Sequence, residues 1–287
     1  MTIDGLLREG SKILSPKEDA RLEAEVLLAA QMGKERVWLH IHGNQVVNLE
    51  TEELFRSSIM ALKNHTPLQY LTGVEEWMGL SFKVTEDTLI PREDTRVLLE
   101  EILERIPGDG TGITLIEVGT GSGILPVLIQ KNRPFAVLHV TELNPKTLEV
   151  ARENFARHGV SVTAHQTDFL LAIKEEGIHG DILFSNPPYI STMEYEVLDP
   201  SVRKEPSLAL WGGADGLEPY RRLAKEYEDV LNPGGYLLVE IGWKQGEDVR
   251  RILESTGLRW VKTAQDDAGR DRTIVMRFGG HHEDQNL

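Results

Sequence analysis

Cysteine is absent from the 287 residues, which excludes disulfides and thiolate metal sites and leaves the redox compartment unreadable from thiol chemistry. Positive charge is scarce: 31 Lys and Arg stand against 46 Asp and Glu, a formal net charge of −15. Such a chain repels phosphate backbones unless it gathers its cations on one face, and no basic run does so. Nucleic acid is therefore not the expected partner. Long apolar runs are missing too. Nothing approaches the ~20 residues of a membrane span, and the opening MTIDGLLREGSK has neither a basic nor a continuous apolar signal region. The expectation is a protein of the cytoplasm with no membrane contact. With 40% hydrophobic residues the chain can still build an ordinary core, and its length suggests about two domains.

The first ~65 residues read as helices. Ser15-Pro16-Lys17-Glu18 offers an N-cap, a first-turn proline and a capping-box acid, followed by Leu22, Val26 and Leu27 at helical spacing. A second helix is expected over 51–64, with Leu54, Ile59 and Leu62 as its apolar side. Val74–Trp77 and Leu80–Val84, joined by Met78-Gly79, read as a β-hairpin. From Asp94 onward helices alternate with apolar strands, expected at 113–118, 136–141, 161–166, 181–185 and 236–241, which implies an α/β, Rossmann-like, doubly wound and mainly parallel sheet. Two closing strands near 258–264 and 273–278 should add an antiparallel edge hairpin. Asn232-Pro233-Gly234-Gly235 reads as a turn before a strand. The expected organisation is a helical domain at 1–73, a linking hairpin at 74–90, a catalytic domain at 91–279 and a disordered tail at 280–287. Trp243 reads as core, His165 as surface, and the tail pair His281-His282 as no metal site.

Ligands of such sheets bind beyond the carboxyl ends of the strands. The first strand ends in Gly119-Thr120-Gly121-Ser122-Gly123, whose glycines let the backbone turn and approach a ligand closely at a helix N-terminus. Ile124 stands where a dinucleotide fingerprint needs its third glycine, which opposes a dehydrogenase. Glu142, ending the next strand, can accept both hydroxyls of a ribose or simply cap the following helix. Asp168 can accept an adenine N6–H while Phe169 covers the ring, although Phe169 alone is as readily core. A glycine loop, an acid and an Asp-Phe pair in strand order fit a nucleoside lacking a pyrophosphate, and S-adenosylmethionine is such a ligand.

The fourth strand delivers Asn186-Pro187-Pro188-Tyr189. An amide nitrogen is a poor nucleophile because its lone pair is delocalised. A site that methylates one must hold it in line and accept its N–H bonds. The Asn186 side-chain carbonyl and the Pro187 main-chain carbonyl are suitable acceptors, with the two prolines fixing their direction, and Tyr189 is expected to pack on a planar amide or base. The plainer alternative is a rigid turn after a strand.

Taken together, PLQYLTG (67–73), TLIPREDT (88–95), VGTGSG (118–123), SNPPYI (185–190), VRKEPSLAL (202–210) and EIGWKQGEDVR (240–250) resemble the protein-(glutamine-N5) methyltransferases of the HemK/PrmC type, over nearly the whole chain. That family modifies the glutamine of the GGQ motif in peptide chain release factors. The resemblance implies a class I S-adenosylmethionine-dependent methyltransferase domain with a seven-stranded sheet, preceded by a helical domain expected to recognise the release factor. It places Gly119 to Gly123 around the methionine part of the cofactor, Glu142 at the ribose and Phe169 at the adenine. Asn186 touches cofactor and substrate, and Asn186 to Tyr189 hold the glutamine amide, with Asn186 and Tyr189 as the catalytic pair. Glu117 stands where members usually carry Asp, which reshapes the contact to the cofactor's amino end. Arg92 is expected near the site. The alternative in chemistry is a nucleic-acid amino-methyltransferase acting on an exocyclic base amine, which would need a basic cleft.

Overall fold

The structure, a computed structural model, describes residues 1–279; the tail expected at 280–287, with His281 and His282, lies outside the described residues. Two compact units arise. The first takes Met1–Val74 with Asp199–Lys204, and the second takes Glu75–Leu198 and the chain from Glu205. The hairpin thus falls with the second unit from Glu75.

In the first unit, helices α1 (Ile3–Leu14), α2 (Ala20–Met32), α3 (Arg36–Ile41), α4 (Leu49–Lys63) and α5 (Leu68–Thr72) close around Leu6, Leu7, Leu27, Leu28, Phe55 and Ile59. The Thr2 side chain accepts from the Gly5 amide and Asn48 from the Thr51 amide, satisfying orphan donors of α1 and α4. One expected cap is corrected. Ser15 ends α1, its N–H bonding to the Ser11 carbonyl, and α2 starts only after Asp19. Leu27, Ile59 and Leu62 are buried as expected, whereas Leu22 and Leu54 are exposed and Ala24 and Phe55 join the core in their place.

In the second unit, β1 (Val74–Trp77) and β2 (Leu80–Lys83) form the hairpin, with Met78 at φ 46° and Gly79 at φ 76°. Two positive φ angles give the turn the twist that antiparallel strands need. The main sheet comprises β3 (Thr114–Val118), β4 (Val137–Glu142), β5 (Thr163–Gln166), β6 (Gly180–Ser185), β7 (Leu231–Glu240), β8 (Leu258–Gln265) and β9 (Asp271–Phe278), in the order β5-β4-β3-β6-β7-β9-β8. Pairing is parallel from β5 to β7 and antiparallel at β7/β9 and β9/β8. Helices α6 (Arg96–Arg105), α7 (Ile124–Asn132), α8 (Pro145–His158), α9 (Leu171–Glu175), α10 (Thr192–Glu196), α11 (Ser207–Leu210), α12 (Glu218–Glu226) and α13 (Gly246–Glu254) complete the unit.

Each face of the sheet carries its own core. Leu115 packs with Leu98, Ile102, Ile129 and Phe155, whereas Ile116 and Val118 pack with Tyr220, Leu223, Val249 and Leu253. This alternation along β3 is the strand period, and burial of both faces explains why the central strands are continuous apolar runs. Asn232–Gly235 is not a separate turn. It sits inside β7, where the register shifts between Gly180↔Leu231 and Ile182↔Tyr236, with Gly234 at φ 85° and Asn232 donating to Asp181 at 2.9 Å. Two single-residue expectations reverse. Trp243 is half exposed, with Lys244 over its ring, and His165 is buried, bonded to His139 and Glu176.

The strand order reverses beside β3: β4 lies on one side and β6 on the other. Loops leaving β3 and β6 therefore diverge and open a crevice, the usual ligand position in such sheets. The Ser185 hydroxyl donates to the Val118 carbonyl at 2.7 Å and ties the two strand ends together.

Candidate active site

A cavity of about 400 Å³ opens at this crevice, within the second unit. It brings together Gly119, Thr120, Gly121 and Ser122 from the β3 loop, Glu142 from β4, Asp168 and Phe169 after β5, and Asn186, Pro187 and Pro188 after β6. Thr95, Arg92, Glu117, Leu208, Trp211 and Arg222 also line it. Two expected residues stand outside this lining. Gly123 is turned into the α8 packing, where an added Cβ would lie 2.6 Å from Phe155 Cε1. Tyr189, expected against the substrate amide, is not among the lining residues and packs, partly buried, against the core on the α12 face of the sheet.

The glycine loop holds left-handed backbone, with Gly119 at φ 75°, Gly121 at 57° and Gly123 at 80°. At Gly119 and Gly121 an added Cβ would meet no protein atom within 4 Å, so the space beside them belongs to the cavity. Gly123→Ala is expected to destabilise the protein by about 2 kcal/mol or more, combining a positive φ with overpacking against Phe155. Urea denaturation checks this, and a change under about 0.5 kcal/mol would contradict the packing.

Two acids stand at the glycine-loop end of the wall. Glu142 accepts the Gly121 amide at 3.2 Å and the Asn144 amide at 3.0 Å, so it braces the loop and caps the entry to α8 while facing the cavity. Burial raises its pKa against the lowering pull of those amides. Glu117 is 2% exposed and its Oε2 has no hydrogen-bond partner. Burial, aided by Glu142, pushes it up to about 8. A buried orphan carboxylate oxygen facing a cavity fits an ammonium group, and open space beside two glycines fits close approach of a ligand; both suit the methionine end of S-adenosylmethionine.

At the far end Phe169 adopts φ 56°, a left-handed conformation that costs a non-glycine residue roughly 1 kcal/mol and turns the ring toward the cavity. Arg222 of α12 stacks on this ring at 4.3 Å from its centroid and donates to Asp168 at 2.7 Å. Asp168 is thus held by an ion pair, and Arg222, which no sequence motif marks, is part of the wall. Arg92 lines the cavity and pairs with the buried Glu205, which also accepts the Ile90 amide at 3.0 Å. The IPRED and KEP segments are joined through this carboxylate. Asn186 donates its side-chain amide to the Thr95 hydroxyl at 3.2 Å.

Comparison with known proteins places this geometry. The PrmC N-terminal domain model matches residues 5–73 and the methyltransferase small domain model residues 93–204. A release factor glutamine methyltransferase of Geobacter sulfurreducens is 39% identical over 91% of this chain and 91% of its own length. One from Moorella thermoacetica is 40% identical over 90% and 91% respectively. The chain belongs to the release factor glutamine methyltransferase family. A methyltransferase of Pyrococcus furiosus, 20% identical over 78% of this chain and 98% of its own, matches with a TM-score of 0.53 and shows the shared fold. The fold is that of a class I S-adenosylmethionine-dependent methyltransferase, and membership of the family makes the chain an enzyme that uses this cofactor. No helix among the described residues is long and apolar enough to cross a membrane.

Proposed function

We propose that this chain methylates the side-chain amide nitrogen of the glutamine in the GGQ motif of peptide chain release factors, in the cytoplasm. When bound, S-adenosylmethionine supplies an electrophilic methyl group on a sulfonium. Glu117 would face its amino end, Gly119 to Ser122 and Glu142 its methionine and ribose parts, and Phe169 its adenine. The observation that carries the reading is the delivery of Asn186-Pro187-Pro188 from β6 into the cavity that the β3 glycine loop lines. The Asn186 and Pro187 carbonyls accept the two N–H bonds of the substrate amide and aim its nitrogen. Because the thioether departs neutral, no strong base is required, and the rate comes from positioning and preorganised dipoles. Tyr189 backs this loop from the core side.

Transfer of label from S-adenosylmethionine to a purified release factor tests the reading, beside a Gln→Ala version of its GGQ motif and duplex DNA. Label on the unaltered factor alone supports it, and label on DNA would replace it with base methylation. The helical unit, in this reading, recognises the protein substrate. Removing the residues before Pro67 is then expected to raise the KM for the release factor at least about tenfold, with cofactor affinity retained by the folded remainder. Isothermal titration beside steady-state kinetics separates the two; equal loss of both in a folded truncation would refute the division.

A further inference from the structure

Behind Asn186 lies a carboxyl that the mechanism above does not use. Glu240 ends β7, is 1% exposed and does not line the cavity. Ser185 pairs with Val239, so Asn186 and Glu240 leave adjacent parallel strands side by side. Against burial, the side chains of Thr95 and Asn186 hold the Glu240 pKa down, while its Oε2 is left without a partner. Thr95 and Asn186 are in turn joined to each other at 3.2 Å. We propose that Glu240, together with Thr95, is a positioning device that fixes which end of the Asn186 carboxamide faces the substrate; the proposal rests on the functional reading above.

The argument is one of hydrogen-bond polarity. A carboxamide has a donor end and an acceptor end of nearly equal shape, so packing alone does not choose between its two flips. An ionised carboxylate only accepts. Facing Glu240, the Asn186 NH₂ is drawn inward, the Thr95 hydroxyl gives its one proton to the carboxylate, and its lone pairs remain to receive Asn186. The Asn186 Oδ1 is then the end left for the cavity, as an acceptor for a substrate N–H. Reversed, the NH₂ would confront the substrate's own N–H donors.

Other charged and titratable groups face Glu240 from the elements around it: Asp94 from the turn before α6, Arg272 from β9, Tyr189 from the segment after β6 and Tyr220, whose hydroxyl donates to the Glu240 carbonyl at 2.9 Å, from α12. Asp94 and Arg272 form an ion pair at 2.7 Å, so their opposing fields largely cancel at Glu240. Burial is the first cause that raises its pKa, to about 7, against the hydrogen bonds from Thr95 and Asn186. The inward acceptor is therefore complete only above neutrality.

The test is Glu240→Gln, whose terminal amide can present a donor to Asn186, in the full chain with a purified release factor and saturating S-adenosylmethionine. Expected is a fall of about tenfold to a hundredfold in single-turnover rate, the range of one charge-assisted hydrogen bond, with little change in either KM. The wild-type rate should rise with pH through about 7, and the variant's should not. Thermal stability above neutrality should increase, because a buried charge is removed; a merely structural residue would lose stability and activity together. Thr95→Val should slow transfer severalfold and Thr95→Ser recover it. A readout on the free protein needs no turnover: the Asn186 side-chain amide signals in ¹H–¹⁵N spectra, assigned by their loss in Asn186→Ala, should titrate near pH 7 in the wild type and stay fixed in Glu240→Gln. Unchanged rates, or identical amide titration in wild type and variant, would overturn the proposal. Failure of the wild type to label the release factor would instead overturn the functional reading, leaving the spectroscopic result to decide this one.

Discussion

Asn186→Ala is expected to lower single-turnover methyl transfer about 10³-fold while the fold and the affinity for S-adenosylmethionine change little. The alanine removes the acceptor that meets one substrate N–H as the nitrogen lone pair leaves amide conjugation and turns toward the methyl group. That acceptor matters more in the transition state than in the ground state, because the departing proton grows more acidic as the nitrogen becomes cationic. Loss should therefore appear in kcat more than in KM. Truncation also leaves the Thr95 hydroxyl and Glu240 one donor short, yet Thr95 sits on the N-terminal edge of α6 and Glu240 in a central strand, so neither is free to move into the vacated space. Rapid-quench transfer assays and calorimetric cofactor binding on the same preparation give the two numbers. Near-normal kcat would mean that the amide is held by other groups, and the role given to the β6 loop would fall.

What could be read ahead of the structure depended on whether one local pattern determined the outcome. Alternation of helices and apolar runs from Asp94 onward, with two closing strands joined by the short DDAGRDR connection, was enough for a parallel sheet with an antiparallel edge. The glycine loop, Glu142, Asp168, Phe169 and Asn186 were legible because each stands where a strand stops. Strand ends are places where a polar residue has no ladder role, so its presence asks for a reason. Glu240 also ends a strand, within EIGWKQ, but a single Glu there gives no sign that it turns inward to a second loop. Thr95 was visible only as part of TLIPREDT. Arg222 lies on an amphipathic helix where its charge reads as solvated surface, and only the tertiary fold brings it over Phe169. Tyr189 failed for a different reason: the direction of a side chain after two prolines depends on where the following segment is pinned, here by the Gln245 amide donating to the Tyr189 carbonyl at 3.0 Å. The Ser15 cap failed because the residue was already engaged in ending the preceding helix.

Glu117→Gln is expected to stabilise the free enzyme and weaken cofactor binding at the same time. In the folded protein the carboxyl is pushed up to about 8 by burial, from an ordinary 4.5. A raised acid contributes its full stability below the unfolded pKa, where both states are protonated. That contribution is lost as pH rises from about 4.5 to about 8, because the unfolded chain ionises freely and the folded one does not. At pH 8 the difference amounts to a few kcal/mol in order of magnitude, so the neutral glutamine should raise the melting temperature there and leave it unchanged near pH 4. Binding responds with the opposite sign. An ammonium needs the ionised carboxylate, so cofactor binding near pH 7 must expel the Glu117 proton, and affinity should climb by up to about tenfold per pH unit toward pH 8. Above that the α-amino group, with a pKa of about 8, loses its own proton and affinity falls again. In Glu117→Gln the rising limb should vanish, and affinity at pH 8 should drop about tenfold to a hundredfold. Calorimetry in buffers of different ionisation enthalpy counts the proton directly: about one released per cofactor bound at pH 7 in the wild type and none in the variant. Parallel pH profiles for the two proteins would show that the ammonium is held elsewhere. The opposed shifts, tighter folding with looser binding, are what a carboxylate buried for a cationic ligand must produce, since the desolvation that penalises it in the free enzyme is the same desolvation that strengthens its pairing when the ligand arrives.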